Sequence, residues 1–162
     1  MRNNGPVTQR EHVLPPGTTL VSTTDLQSHI TYCNPAFVLV SGFSSDELLG
    51  QPHNLVRHPD MPAQAFSNMW ATIKAGRPWE GLVKNRTKKG GFYWVRANVT
   101  PVMEGGKSVG YISIRSRPVA GEAAAAEAAY AAMRAGGAAV HLVDGELRRT
   151  GIVARLRSAV RS

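Results

Sequence analysis

The run His53-Asn54-Leu55-Val56-Arg57-His58-Pro59-Asp60 brings two imidazoles, a guanidinium and a carboxylate into one short stretch. Imidazole plus carboxylate is a metal-ligand set, but the spacing of His53, His58 and Asp60 matches no established metal signature, and His12 and His29 are remote in sequence. A guanidinium and an imidazole are also side-chain types that can hold a phosphate group or steady a developing negative charge, so Arg57 and His58 are candidates for either role. The plainest reading is structural: Arg57 and Asp60 bridge each other in a Pro-rich turn and His58 lies at the surface. Further along, Trp79 offers a flat apolar wall, and the Asn85 amide can both donate and accept hydrogen bonds. Trp79 is equally readable as a core residue. Ser, His and Asp are all present, yet in no nucleophile-elbow, zinc-hydrolase or phosphate-loop arrangement, so enzymatic chemistry lacks a motif.

The single cysteine, Cys33, forms no intramolecular disulfide and supplies no zinc or iron–sulfur site by itself, which points to a reducing compartment, the cytoplasm. The first residues lack the apolar stretch of a signal peptide, and no window reaches the roughly 18 apolar residues of a membrane helix. The net charge of +8 invites a nucleic-acid reading. Its distribution argues against one. Lys/Arg minus Asp/Glu is 2 minus 4 over residues 1–50, 11 minus 3 over 51–118 and 6 minus 4 over 119–162. In the middle, Lys84, Arg86, Lys88 and Lys89 flank a Gly-Gly turn, which reads as a solvated hairpin tip, and no DNA- or RNA-binding motif accompanies them.

These groups need elements to position them. At 162 residues, 43% of them apolar, the chain suits one domain with a modest extension. Residues 1–17, rich in Pro and Gly, read as an extended N-terminal cap. Residues 18–23 and 29–33 read as strands joined by the turn 25–28. Asn34-Pro35 starts a short helix that Gly42 closes; Ser44 or Ser45 caps another that Gly50 ends. Between Pro62 and Ala75, Phe66, Met69, Trp70 and Ile73 recur at helical spacing. Residues 79–86, 91–101 and 109–117 read as three consecutive antiparallel strands divided by Gly-rich turns. In the middle one, Phe92, Trp94 and Arg96 alternate with Tyr93, Val95 and Ala97, and one of these faces must meet the helices. The fold class is therefore α+β, a five-stranded antiparallel sheet with a cluster of helices over one face. Beyond Pro118, residues 120–135 are Ala-dominated, with acid early, base late and glycine after, as a helix is written.

The order of elements and four local stretches resemble the PAS domain, and within it the FAD-binding PAS domain of the bacterial aerotaxis receptor family. The stretches are Thr19-Leu20-Val21-Ser22-Thr23-Thr24-Asp25, the run from Gly50-Gln51-Pro52-His53-Asn54 through Arg57-His58-Pro59-Asp60-Met61-Pro62, Pro78-Trp79-Glu80-Gly81-Leu82-Val83-Lys84-Asn85-Arg86, and Tyr93-Trp94-Val95-Arg96-Ala97-Asn98. The likeness spans residues 18–118. It implies FAD held non-covalently between helices and sheet, with its redox state passed to a chemotaxis signalling region. Carried over residue by residue, it implies binding roles for Arg57, His58, Asp60, Trp79 and Asn85, with His53 and Asn34 as further candidate contacts. A flavin is a flat apolar body with a polar edge, so walls and a few placed donors suit it.

The resemblance also implies a non-enzymatic sensor whose partners are a HAMP-like, methyl-accepting region of a longer receptor and a PAS–PAS homodimer, with no nucleic acid and a membrane only through the parent protein. Residues 119–162 would then be the Ala-rich helix and a basic linker toward that membrane or signalling region. The solvent-facing side of strands 91–117 is the expected output surface. The light-driven cysteinyl adduct of related flavin domains is not expected, since the helix cluster holds Arg57-His58-Pro59-Asp60 where such domains place a cysteine. Haem ligation from the long helix lacks a histidine. The competing reading is a cofactor-free PAS interaction and dimerisation module.

Overall fold

The computed structural model describes residues 4–150. Its sheet has the order β2-β1-β5-β4-β3, antiparallel throughout, with β1 Thr19–Thr24, β2 Ile30–Cys33, β3 Trp79–Arg86, β4 Phe92–Glu104 and β5 Lys107–Ser116. Helices α1 Pro35–Ser41, α2 Ser45–Leu48 and α3 Ala63–Lys74, with the 3-10 turn His53–Val56, fill the stretch between β2 and β3. This is the α+β fold with the five-stranded sheet that the sequence leads one to expect.

Local chemistry sets the helix ends. The Asn34 side-chain oxygen accepts from the Phe37 and Val21 amides at 3.1 and 3.0 Å, capping α1 and tying it to β1 at once. Ser44 and Glu47 form a reciprocal capping box on α2. Gly110 passes so close to the β1–β2 turn that a Cβ there would lie 2.2 Å from the Thr24 carbonyl oxygen, which keeps β5 pressed onto β1.

Strand alternation then sorts the two faces of the sheet. The register Asn85↔Tyr93, Val83↔Val95, Ala97↔Arg115 and Ser22↔Ser113 puts these side chains on the face under α1–α3. Tyr93, Val95 and Ala97 therefore meet the helices. Phe92, Trp94 and Arg96 point the other way, where the sequence alone predicts open solvent. There α4 Glu122–Arg134 covers β3 and β4: the Tyr130 hydroxyl donates to the Leu82 carbonyl at 2.6 Å, and its ring stacks on Trp94.

That cover overturns part of the solvated-tip reading. Lys84 is 3% and Arg86 4% exposed. Lys84 reaches Asp60 and Glu127, and Arg86 donates to the Gly5 carbonyl of the N-terminal segment, which runs beside β4 with Glu11 bridged to Phe92. Lys88 and Lys89 remain exposed. A second departure lies in the stretch read as a basic linker. Residues 140–149 fold into a hairpin, β6 Val140–Val143 and β7 Glu146–Arg149, turning at Asp144-Gly145. Asp-Gly is a hairpin-turn dipeptide, and it was the legible signal there. The rest of that linker, residues 151–162, lies outside the described residues.

Candidate functional site

Between the inner face of the sheet and the helices lies a cavity of about 250 Å³. The sheet contributes Trp79, Val83 and Asn85 from β3, Ala97 and Val99 from β4, and Tyr111, Ser113 and Arg115 from β5. Opposite them stand Phe66, Met69, Trp70 and Ile73, the apolar stripe of α3. The 3-10 turn and the residue after it add His53, Asn54, Val56 and Arg57.

Arg57 reaches the wall because the chain leaves the 3-10 turn in extended conformation and its backbone bridges Asn85, along the free edge of β3. Its guanidinium lies 3.6 Å from the centre of the Phe66 ring, a flat cation on an aromatic face. Burial holds Arg57 below its ordinary range. In extended backbone, successive side chains point opposite ways, so His58 turns from the cavity to meet Phe92 and Lys84 on the far side of the β3 edge. His58 is 3% exposed, and burial, followed by the Lys84 charge, pushes it down to about 4. It is neutral at pH 7, and its Nδ1 accepts from the Asp60 amide at 3.0 Å, which leaves the proton on Nε2. Asp60 accepts from the Lys84 ammonium at 2.8 Å. Burial works to raise its pKa, but the Lys84 hydrogen bond and charge outweigh that and hold the carboxyl below its usual value.

The structure thus brings Arg57, Trp79, Asn85 and His53 together on the cavity wall and leaves His58, Asp60 and Asn34 behind it. Asn34 spends its amide on Val21, Phe37 and the Thr19 carbonyl. His53 and His58 face different neighbours, and no group of three His, Cys, Asp or Glu side chains that could hold a metal occurs among the described residues. Cys33 lies on β2 beside Ser45 and is not part of the cavity lining.

One buried polar constellation on the cavity wall escaped the sequence. Arg115 is 2% exposed, and its neighbours are polar and aromatic rather than carboxylate. It donates to the Ser22 hydroxyl at 2.7 Å and to His53 Nε2 at 3.1 Å, and its guanidinium sits 4.3 Å from the centre of the Phe37 ring. Because arginine only donates, Nε2 of His53 is the acceptor and the ring proton resides on Nδ1. Burial, then the Arg115 charge, pushes His53 down to about 3, while burial brings Arg115 to about 10, still cationic at neutral pH. Arg115 Nε is buried without a hydrogen-bond partner. Burial pushes Tyr93 up to about 12 against the pull of the Arg115 charge and of a hydrogen bond with the Asn85 side chain. The only sequence signal was phase: Arg115 shares the inward alternation of Tyr111 and Ser113, an odd place for a charge.

A family model described as PAS fold matches residues 30–115. The aerotaxis receptor of Escherichia coli (strain K12) is 53% identical over 152 residues, 94% of this chain and 30% of that receptor. The nitrogen fixation regulatory protein of Klebsiella pneumoniae is 37% identical over 83 residues, 51% of this chain and 17% of that protein. The chain therefore spans less than a third of either relative. Among solved structures, the light state of the blue-light photoreceptor Aureochrome1 LOV superposes with a TM-score of 0.61 at 21% identity, covering 68% of this chain and 88% of that one. The PAS domain of a Colwellia psychrerythraea protein gives 0.57 at 24% identity, covering 62% and 86%. Those two likenesses concern the fold alone. With the family model over more than half of its length and the receptor aligned along nearly all of it, the chain belongs to the PAS-fold family, in the group that includes the aerotaxis receptor.

Proposed function

We propose that this chain is a flavin-based redox sensor module of an aerotaxis-type signal transducer, holding FAD non-covalently and passing its redox state to a signalling region of a longer protein. The observation that carries this reading is the cavity itself, where an aromatic and aliphatic wall converges with Asn85, Arg57 and a fully buried Arg115. Its volume of about 250 Å³ suits a fused ring system rather than a whole dinucleotide, so the remainder of FAD would lie across the mouth.

A flavin takes up one or two electrons and with them changes charge and protonation along the edge of its ring. Trp79 would wall the ring, and Asn85 would bond that polar edge. Arg57 is the exposed-side cation available to the diphosphate. Arg115 and the neutral His53 form a polar end of the cavity, and the buried, unpartnered Arg115 Nε leaves a donor there that suits a ligand's polar edge. The cation raises the cavity's preference for the more negative redox state. His58 and Asp60 would act through the loop that carries Arg57.

The module is read as a sensor, not a catalyst, on the cytoplasmic side of a membrane that only the parent protein crosses. No helix among the described residues is long and apolar enough to span one. The downstream partner is read as a HAMP-like, methyl-accepting region. A second reading, a cofactor-free interaction module forming PAS–PAS dimers, draws on the outer side of β2, β1 and β5, where Tyr32 and Ile114 stand half exposed. Purified protein separates the two. The flavin reading expects a yellow protein with the two absorption bands of oxidised flavin, heat releasing FAD. A colourless protein that takes up no added FAD would sink it.

A further inference from the structure

We propose that the β6–β7 hairpin is the read-out element of the cavity, latched to Trp79 through Asn68, so that the way the cavity holds Trp79 decides whether the hairpin is docked. This rests on the reading above, in which Trp79 is the wall of a flavin site.

Asn68 lies on α3 and makes three bonds. Its Oδ1 accepts from the Trp79 indole N–H at 2.8 Å and from the Gly145 amide at 2.9 Å, and its Nδ2 donates to the Leu142 carbonyl at 3.1 Å. An amide oxygen has two lone pairs, so the cavity wall and the hairpin turn fill one acceptor between them. The turn is held from the side as well. Asp144 accepts from the Thr72 hydroxyl at 2.9 Å and from Arg77 at 3.1 Å, and its carbonyl takes the Glu80 amide at 3.1 Å, closing the end of the β3 edge.

Contact with the indole is direct. A Cβ added at Gly145 would fall 2.2 Å from the Glu80 carbonyl oxygen and 2.9 Å from Trp79 Cε2, and one at Gly81 would fall 2.9 Å from the Gly145 carbonyl oxygen. Gly145 has a φ of +94° and Asp144 one of +48°, the paired positive values of an Asp-Gly hairpin turn. Trp79 thus stands with one side on the cavity and the other against the turn. The hairpin has little core of its own, since Val140, Leu142 and Leu147 are only partly buried. A two-stranded hairpin without a core is marginal alone, so this latch decides whether it stays in place.

Any coupling between cavity occupancy and hairpin docking must be reciprocal: if bound FAD favours docking by some factor, undocking lowers FAD affinity by that factor. The test is hydrogen–deuterium exchange of the 140–149 backbone in the whole chain, with and without saturating FAD, beside FAD titrations by absorbance. Bound FAD slows exchange in the wild-type hairpin. Asn68→Ala, outside the cavity lining, still binds FAD but makes hairpin exchange about tenfold faster and indifferent to FAD, as expected for lost hydrogen bonds. Asp144→Ala removes the Thr72 and Arg77 bonds to the turn without altering α3 or crowding Trp79, and covers the case in which Asn68→Ala fails to fold. It lowers FAD affinity by the factor that FAD lends to wild-type hairpin protection. Hairpin exchange unaltered by bound FAD in the wild type overturns the proposal and leaves the flavin reading standing. A chain that binds no FAD overturns the flavin reading, and the latch is then judged on Trp79→Phe, which keeps an aromatic ring and removes the N–H with the pyrrole half of the indole. Unchanged hairpin exchange in that variant overturns the latch too.

Discussion

Lys84 carries its charge almost out of reach of water, held by Asp60 at 2.8 Å and by Glu127 at 3.3 Å. Both carboxylates are half exposed, so each shields the ammonium from one side while staying solvated itself. Removing one leaves a buried cation short of a partner, the costly direction for such pairs. Asp60→Ala should therefore act first on stability, by about 1–3 kcal/mol, and lower flavin content only by loosening the loop, so that excess FAD restores it. On the flavin reading, Arg57→Ala should leave stability closer to wild type and weaken FAD about ten- to a hundredfold, as the loss of a charge-assisted contact would. Flavin occupancy per folded chain, beside the thermal midpoint, separates the two; equal occupancy in both variants would move the site away from Arg57. The histidines add a pH dependence. His53 and His58 titrate near 6.5 in the unfolded chain but only at about 3 and about 4 when folded. The unfolded state thus takes up protons that the folded state refuses. Their contribution is complete above pH 6.5 and is lost as pH falls toward 4, at up to about 1.4 kcal/mol per histidine per pH unit. Thermal midpoints at pH 7, 6 and 5 should fall in that order, and His58→Asn should flatten the slope. A flat wild-type profile would contradict the neutral, buried assignment.

At the scale of elements, α4 is the piece whose role sequence periodicity conceals. An Ala-rich helix offers little apolar area of its own, yet Ala126, Tyr130 and Met133 are buried and the Tyr130 hydroxyl ends on the Leu82 carbonyl. Burial pushes that phenol up, so it stays protonated and a donor throughout the accessible pH range. Tyr130→Phe keeps the stacking on Trp94 and removes the bond, which should cost about 1 kcal/mol in urea unfolding with an unchanged m-value. A lowered m-value instead would mean that α4 had come away from the sheet. The output surface expected on strands 91–117 is correspondingly narrowed: β3 and β4 are under α4, and β5 with β1 and β2 keeps the open outer face.

For the whole molecule, a ligand that binds only the folded state stabilises it by mass action, about 2.7 kcal/mol at a hundredfold excess over Kd. Added FAD should raise the thermal midpoint of flavin-depleted protein progressively with concentration, and metal chelators should leave it where it is. A midpoint indifferent to FAD would favour the interaction-module reading. The aligned relatives are more than three times longer than the matched segment, so the sensor reading concerns this module alone.

Much of the fold was written locally. Asn34-Pro35 starts α1, Ser44 with Glu47 starts α2, and glycine pairs part the strands, because caps and turns depend on residues that touch within a few positions of each other. Strand phase also placed Tyr93, Val95 and Ala97 on one face together. Of the residues that the resemblance singled out, Arg57, His53, Trp79 and Asn85 line the cavity while His58, Asp60 and Asn34 do not, and partnerships between residues distant in the chain were illegible. Nothing local says that Arg115 meets Ser22 and His53, that Lys84 finds Asp60 and Glu127, or that Asn68 joins Trp79 to Gly145. Residue identity determined what each group could bond. Only tertiary packing, by removing water from Arg115, Lys84, His53 and His58, decided which bonds these groups make, and it is burial that keeps the two histidines neutral at pH 7.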